Sequence, residues 1–338
     1  MKTLITGANG FIGKHLAQNL LARGHDVRGM VRREAARKDL ESLGVEVVRG
    51  DVTQPETLAS CLQGVDTVFH LAGLVKALSY EELLKVNAGG VDSIARACAR
   101  QQTPPVLVLA SSLAASGPAP GDAPRKEVDP PCPVSNYGRS KRAGELAAER
   151  WAAEMPITIV RPPIVFGEGD PNTCQIFRPI AHHGLHAVPG RQTRKFSVIH
   201  ADDLSEALIL AAERGARLRA AEGRDPGEAQ GYYFVAGDEN PSYDELGQLI
   251  GRAVGRDHVR IIHAPDWLSR CAGAISELLA HIRRRPGIFN LDKVREATAG
   301  SWICSADRMR QEVGFHVGAS LLERLQQTAN WYLQKGWI

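Results

Sequence analysis

The chain has 338 residues, 43% hydrophobic and 23% charged; at roughly 150 residues per domain this means two folded units, or one large one with an appendage, and excludes a disordered, collagen-like or small disulfide-stapled protein. Lys plus Arg (41) against Asp plus Glu (38) leaves a net charge of +3, and aromatics make up only 6%, so nucleic acid is not the main partner. The six cysteines, at 61, 98, 132, 174, 271 and 304, form no CxxC pair and read as small core residues in a reducing compartment.

In chain order, Lys2–Thr6 is a strand that runs into a glycine loop, not into a signal-peptide cleavage site. Phe11–Arg23 is a helix, with Phe11, Ile12, Leu16, Leu20 and Leu21 near a 3.6 period and Gly24 as its stop. Strands follow at Val27–Val31, Val45–Val48, Thr67–Leu71, Val106–Ala110 and Ile157–Val160. Helices fall at Glu34–Leu43, Glu56–Gln63, Glu81–Arg100 and Tyr137–Ala153. This alternation predicts a parallel sheet covered on both faces, with ligands at the carboxyl ends of its strands. In the second half, Pro171–Pro189 reads as irregular, Asp202–Arg214 as a helix, Arg217–Gln230 as an exposed connection and Tyr232–Val235 as a strand. From Ser242 onward helices dominate. No run of about 18 apolar residues is present, and the chain reads as a cytoplasmic protein with no membrane span. The expected architecture is α/β: a doubly wound parallel sheet with a smaller, mostly helical C-terminal lobe. Residues 1–167 form the nucleotide-binding domain, with 196–236 returning to it, and 168–195 with 237–338 form the substrate lobe.

The loop Thr6-Gly7-Ala8-Asn9-Gly10-Phe11-Ile12-Gly13 joins a strand to a helix. Glycines there permit a tight turn and close approach of phosphate oxygens, and the helix N-terminus favours a pyrophosphate. With its GxxGxxG spacing, the chain resembles the extended branch of the short-chain dehydrogenase/reductase superfamily, the NAD-dependent epimerase/dehydratase family. Its motif pattern is most similar to dihydroflavonol-reductase and 3β-hydroxysteroid-dehydrogenase-like members. The resemblance implies a Rossmann-type sheet and a nicotinamide cofactor held by Gly7, Asn9, Gly10, Phe11, Ile12 and Gly13. Where an acid would bind the ribose of NAD, this chain has Arg32 and Arg33. Guanidinium groups suit a 2′-phosphate, so NADP(H) is preferred over NAD(H); the alternative is that both arginines solvate a loop. The resemblance places Asp51 and Val52 at the adenine, or Asp51 as a helix cap. It places Leu71, Ala72 and Gly73 along the cofactor, or as small packing residues. Asn87 matches a family element, although Gly89-Gly90 stands where Gly-Thr is usual. Pro162 and Ile164, within Arg161-Pro162-Pro163-Ile164, complete the cofactor set.

Tyr137-Gly138-Arg139-Ser140-Lys141 is a YxxxK, whose Tyr and Lys share one helix face. A nearby ammonium and a positive nicotinamide would lower the Tyr hydroxyl from about 10. Alone, the pattern also marks an ordinary exposed helix face. The resemblance makes Ser112, which lies 25 residues before Tyr137, the group that polarises the reacting oxygen. Tyr137 becomes the proton carrier, and Lys141 the residue that tunes Tyr137 and binds the nicotinamide ribose. The implied reaction is hydride transfer between nicotinamide and a carbonyl or secondary alcohol of a small or lipophilic substrate. Leu113 and Ala114 replace the Asp-Glu pair of dehydratases, and Arg161–Gly167 lacks the Asn usual in sugar-nucleotide enzymes. An oxidoreductase is therefore expected. Alternatives are a nucleotide-sugar epimerase, with Arg191 and Arg194 on a pyrophosphate, and a non-catalytic NADP-binding regulatory or structural protein, a class that tends to lose the Tyr/Lys pair. Substrate contacts are expected from Lys76, Ser112, Pro163 and Arg194.

No metal site is expected: His182, His183 and His186 lack further ligands at suitable spacing. Asp202 and Asp203, after His200, cap a helix or hold the cleft together. Trp267–Ile282 with Arg283-Arg284-Arg285 reads as a lobe helix with a basic end, or as a peripheral contact with an anionic membrane surface. Family relatives suggest a homodimer through Tyr137–Ala153 and the helix before it.

Overall fold

The computed structural model describes residues 1–190, 192–220, 229–265, 282–283, 287 and 291–338. Strand and helix alternate through β1 (Lys2–Thr6), α1 (Phe11–Ala22), β2 (Asp26–Val31), α2 (Arg37–Glu41), β3 (Glu46–Arg49), α3 (Leu58–Cys61) and β4 (Thr67–His70). Then come α4 (Tyr80–Asn87), α5 (Gly89–Ala99), β5 (Val106–Ala110), α6 (Leu113–Ser116), α7 (Asn136–Glu149) and β6 (Ile157–Arg161). The second half holds β7 (Ile164–Phe166), α8 (Pro171–His183), β8 (Leu185–Pro189), β9 (Val198–His200), α9 (Ala201–Arg214) and β10 (Tyr232–Phe234). Last come α10 (Tyr243–Ala253), β11 (Arg260–Ala264), α11 (Leu291–Thr298), α12 (Asp307–Val313) and α13 (Leu321–Gln334).

Seven strands form one parallel sheet in the order β10-β6-β5-β4-β1-β2-β3. The order reverses between β1 and β4, where Thr6 is in register with Met30 on one side and His70 on the other. Connections leave in opposite directions at this point, so a crevice opens at the carboxyl ends of β1 and β4. Every residue of β4 and β6 is buried, as expected for strands covered on both faces. Leu16 and Leu20 of α1 pack with Leu204 and Leu208 of α9, and Met309, Val313 and Phe315 join the same cluster. Val91, Ile94 and Cys98 of α5 pack with Ala147 and Ala148 of α7 against Leu107 and Ile157 on the other face. A separate cluster joins Phe177 of α8, Ile250 of α10 and Leu325 and Tyr332 of α13. Two small parallel pairs, β8 with β11 and β7 with β9, lie beside it.

Several local expectations are corrected. Pro171–Pro189 is not irregular. Asp170 accepts from Asn172 N and Thr173 N, Pro171 occupies the first helical turn, and α8 continues through Pro179 before β8. Glu81–Arg100 is two helices, interrupted at Ala88. Strand β11 lies inside a region read as helical and pairs only with β8. Of the cysteines, 61, 98, 174 and 304 are buried and Cys132 is exposed. Among the described residues no helix is long and apolar enough to cross a membrane.

Candidate active site

The turn after β1 is built to receive an anion. Gly7 has φ 74°, which favours glycine. A Cβ on Gly13 would lie 2.4 Å from the Gly7 carbonyl oxygen, so only glycine lets α1 seat on this turn. Gly10 N donates to Gly7 O at 2.9 Å. No side chain caps α1, and its first turn carries no acid. Its remaining first-turn N–H groups and positive dipole end suit a pyrophosphate. Asn9 and Gly10 are exposed, while Phe11 and Ile12 are half-buried against the core side.

At the end of β2, Arg32 and Arg33 are both exposed. Nearby Arg37, by contrast, is tied to Glu34 and Glu41. Asp51 Oδ1 accepts from Thr53 N and Thr53 Oγ1, both at 2.8 Å, so that oxygen serves the local turn; Val52 is buried. Beyond β4, Leu71 N donates to Thr6 O at 3.1 Å and Ala72 N to Thr6 Oγ1 at 3.2 Å. Asn87 is buried. It accepts from Leu74 N at 2.7 Å and donates to Ser140 Oγ at 2.9 Å, linking the Leu71–Leu74 segment to α7. A Cβ on Gly73 would lie 3.9 Å from Lys141 Nζ, so this segment meets α7. The uncapped helix end, the glycine surface and the row of strand ends fit a nicotinamide dinucleotide.

Ser112 caps α6, accepting from Ala114 N at 3.1 Å. Ser135 caps α7, accepting from Gly138 N at 2.9 Å. The two helices approach closely: a Cβ on Gly138 would lie 2.3 Å from Ala114 O. This contact brings Ser112 beside Tyr137, close enough for its hydroxyl to favour the phenolate. Lys141 is buried and donates to Ala110 O at 2.8 Å. Burial pushes the Tyr137 hydroxyl up to about 12, against the pull of Ser112, and Glu296 adds to the rise. The expected lowering drew on an ammonium together with a positive nicotinamide; in the protein alone desolvation outweighs the Ser112 hydroxyl. Burial lowers the Lys141 ammonium to about 8, with Glu145 pulling the other way. His70 Nδ1 pairs with Thr6 Oγ1 at 2.8 Å, and burial with the Lys141 charge lowers this imidazole to about 3. At neutral pH the site thus holds a protonated phenol, an ammonium and a neutral imidazole.

Helix α11 supplies groups that sequence reasoning missed. Asp292 accepts from Asn136 N at 2.8 Å and Tyr137 N at 3.2 Å. Glu296 accepts from Ser135 Oγ at 2.5 Å. Lys293 Nζ lies 5.1 Å from the Tyr137 ring centroid and pairs with Glu296 at 2.5 Å. These residues lie more than 150 positions from the Ser135–Tyr137 groups they touch, and no local signal marks them. Lys76 lines a cavity of about 140 Å³ between the Val75–Leu83 segment, Asn136 at the start of α7, and Leu291, Asp292, Lys293 and Arg295 of α11. Pro162 is buried, its carbonyl accepting from Leu113 N at 2.8 Å, while Pro163 is half-buried and Ile164 exposed. Arg194 is buried, donates to Gln192 Oε1 at 3.1 Å, and lines a separate cavity of about 10 Å³ with Phe196, Tyr243 and Ala297. That volume admits about one water. Arg191 lies outside the described residues, as do residues 221–228 of the Arg217–Gln230 connection and almost all of Trp267–Pro286.

The histidine run is dispersed. His182 and His183 are exposed at the end of α8, and buried His186 donates to Tyr243 O at 3.0 Å. His200, not an aspartate, caps α9. Asp203 binds the Arg324 guanidinium at 2.6 Å, and Asp202 binds His15 at 2.7 Å, so the aspartates hold α9 to α13 and α1. His15, Glu168 and Asp202 lie close enough to converge on a cation. Both His15 ring nitrogens, however, already face oxygens: Nδ1 faces Asp202, and Nε2 faces Glu168 O at 2.9 Å.

A sequence profile of the NAD dependent epimerase/dehydratase family matches residues 3–222. The ceramide reductase of Caulobacter vibrioides is 32% identical over 334 residues, covering 99% of this chain and 95% of its own. Sterol demethylase protein B of Methylococcus capsulatus is 29% identical over 351 residues, covering 100% of both chains. Among solved structures, gox2253 superposes with a TM-score of 0.78 at 25% identity, covering 99% of each chain.

Proposed function

The chain belongs to the NAD-dependent epimerase/dehydratase family, and on that premise we propose that it is an NADP(H)-dependent reductase of a ketone on a lipophilic substrate. It is an enzyme of the extended short-chain dehydrogenase/reductase type, an NAD(P)-dependent oxidoreductase or epimerase. The observation that carries the reductase reading is the Ser112 hydroxyl placed beside a Tyr137 phenol whose proton burial holds at about 12. A phenol in that state is a proton donor, and Ser112 is placed to orient and polarise the same oxygen. Bound nicotinamide would supply the hydride. Lys141, anchored on Ala110 O, gives Tyr137 a nearby positive charge once its proton has left. Gly7, Asn9, Gly10, Phe11, Ile12 and Gly13 would hold the pyrophosphate. Arg32 and Arg33 would take a 2′-phosphate. Asp51, Val52, Leu71, Ala72, Gly73, Asn87, Pro162 and Ile164 would line the rest.

The names of the ceramide and sterol relatives support a lipophilic substrate; the 140 Å³ cavity itself mixes Val75, Leu78, Leu83 and Leu291 with Lys76, Asp292, Lys293 and Arg295. We assign residues 1–167 and 196–236 to the cofactor unit, and 168–195 and 237–338 to the substrate lobe; β10 at the edge of the main sheet supports this division. A homodimer through α7 is consistent with Leu146, which is exposed on that helix. The test is product analysis with NADPH. A long-chain keto-ceramide should give the alcohol with one NADPH consumed per product. Epimerisation of UDP-glucose without net cofactor consumption, and no ketone reduction, would overturn the reading in favour of an epimerase.

A further inference from the structure

Behind the reacting groups lies a charge that the proposed chemistry does not use. Glu145 is completely buried on α7, one turn beyond Lys141 on the same helix face. Its Oε1 accepts from Ser111 Oγ at 2.5 Å and Arg161 Nε at 2.8 Å. Its Oε2 accepts from Arg161 Nη2 at 2.7 Å and Arg142 Nη1 at 3.0 Å. Arg161 is itself buried, with its guanidinium 4.3 Å from the Tyr232 ring centroid. Desolvation makes a buried ion pair a poor source of net stability. Its location suggests another role. Ser111 immediately precedes Ser112, and Arg161 immediately precedes Pro162. Ser111 N donates to Val160 O at 2.7 Å and Leu113 N to Pro162 O at 2.8 Å. One carboxylate therefore joins the carboxyl ends of β5 and β6 to the helix that carries Tyr137 and Lys141.

We propose that Glu145 is a positioning residue: it locks Ser112 into register with Tyr137 and presents its negative charge to Lys141 from behind. The proposal rests on the reading of Ser112, Tyr137 and Lys141 as the reacting groups. Among the described residues the ionisable groups that act with Lys141 are His70 from β4 and Glu145 from its own helix, and Tyr137 lies one turn before it on the same helix face. Around Glu145 they are Arg161 from β6, Arg142 from α7 and, past Arg142, Glu149 and Tyr232.

The test is the pH profile of kcat in the full-length enzyme with NADPH. In Glu145→Gln, KM for NADPH should stay within about threefold while kcat falls about 10–100-fold. The alkaline limb, set by Lys141, should move down by about one pH unit, because the facing carboxylate is gone. Glu145→Asp keeps the charge and should leave the limb in place while kcat still falls. A purely structural role would not produce that split. An unmoved limb in Glu145→Gln, or an unchanged kcat, overturns the proposal. Should Glu145→Gln not fold, Ser111→Ala removes one hydrogen bond and no charge. Its kcat should fall several-fold with the limb unmoved, and an unchanged kcat again overturns the proposal. Failure of the underlying reading would be seen separately, as turnover retained in Tyr137→Phe.

Discussion

Gly138→Ala adds a single methyl group to α7, yet the account predicts a large catalytic cost. The new Cβ would lie 2.3 Å from Ala114 O and 3.1 Å from Ala114 C and Ser135 Oγ, whereas ordinary contact begins at 3.4 Å. Relief requires 3.4 − 2.3 = 1.1 Å of separation between α7 and α6. The atom met is backbone, so no side chain can rotate away. That separation acts directly on the approach of Ser112 to Tyr137, since Ser112 caps α6 and Tyr137 adjoins Gly138. A misplacement of about 1 Å costs on the order of 10²-fold in rate, or about 2.7 kcal/mol of barrier. Overpacking should destabilise the fold by about 1–3 kcal/mol. Steady-state kinetics and a cofactor titration separate the effects. The expected result is kcat down about 100-fold with the NADPH dissociation constant within threefold, because the glycine loop is untouched. A folded Gly138→Ala enzyme with kcat within threefold of the parent would refute the claim that this contact sets the Ser112–Tyr137 geometry.

His70, lowered from 6.5 to about 3, binds fewer protons folded than unfolded between those values. Its contribution is therefore full above pH 6.5 and is lost as pH falls toward 3, a span of 3.5 units worth on the order of 5 kcal/mol. Denaturant melts across pH 4–7 should show a flatter slope in His70→Gln than in the parent; equal slopes would sink the assignment. Replacing Arg32 and Arg33 together by Ala should weaken NADPH about 10–100-fold and NADH less than threefold, measured by fluorescence titration. Equal losses for both cofactors would place the arginines away from a 2′-phosphate. Asp292→Ala removes the acceptor for Asn136 N and Tyr137 N. It should lower stability by about 0.5–2 kcal/mol and reduce kcat, read from thermal melts and turnover; an unaffected kcat would mean that α11 plays no part in placing Tyr137.

The turn after β1 and the helix carrying Tyr137 were legible because their signals are local. The glycine loop occupies one turn, the Tyr137/Lys141 pair one face of one helix, and the strands of the main sheet are short apolar runs between helices. The rest depends on partners far apart in sequence. Glu145 resembles any acid on a polar helix until Ser111 and Arg161 arrive from two different strands. Asp292, Lys293 and Glu296 gain meaning only when α11 docks on α7. Pro179 disguised α8, because a proline within a helix usually signals its end. β11 went unread because its partner β8 lay in the same misread stretch. The phenol of Tyr137 shows the limit in energetic terms. Sequence names the neighbouring ammonium, but burial, which only the fold reveals, is the largest influence on this phenol.

The most direct measurement of the central claim is turnover of Tyr137→Phe at saturating NADPH and ketone, alongside its NADPH dissociation constant. Loss of the proton donor should cut kcat by about 10²–10⁴-fold while cofactor binding stays within a few-fold of the parent. A Phe variant that turns over within a few-fold of the parent would contradict the assignment of Tyr137 as the proton donor.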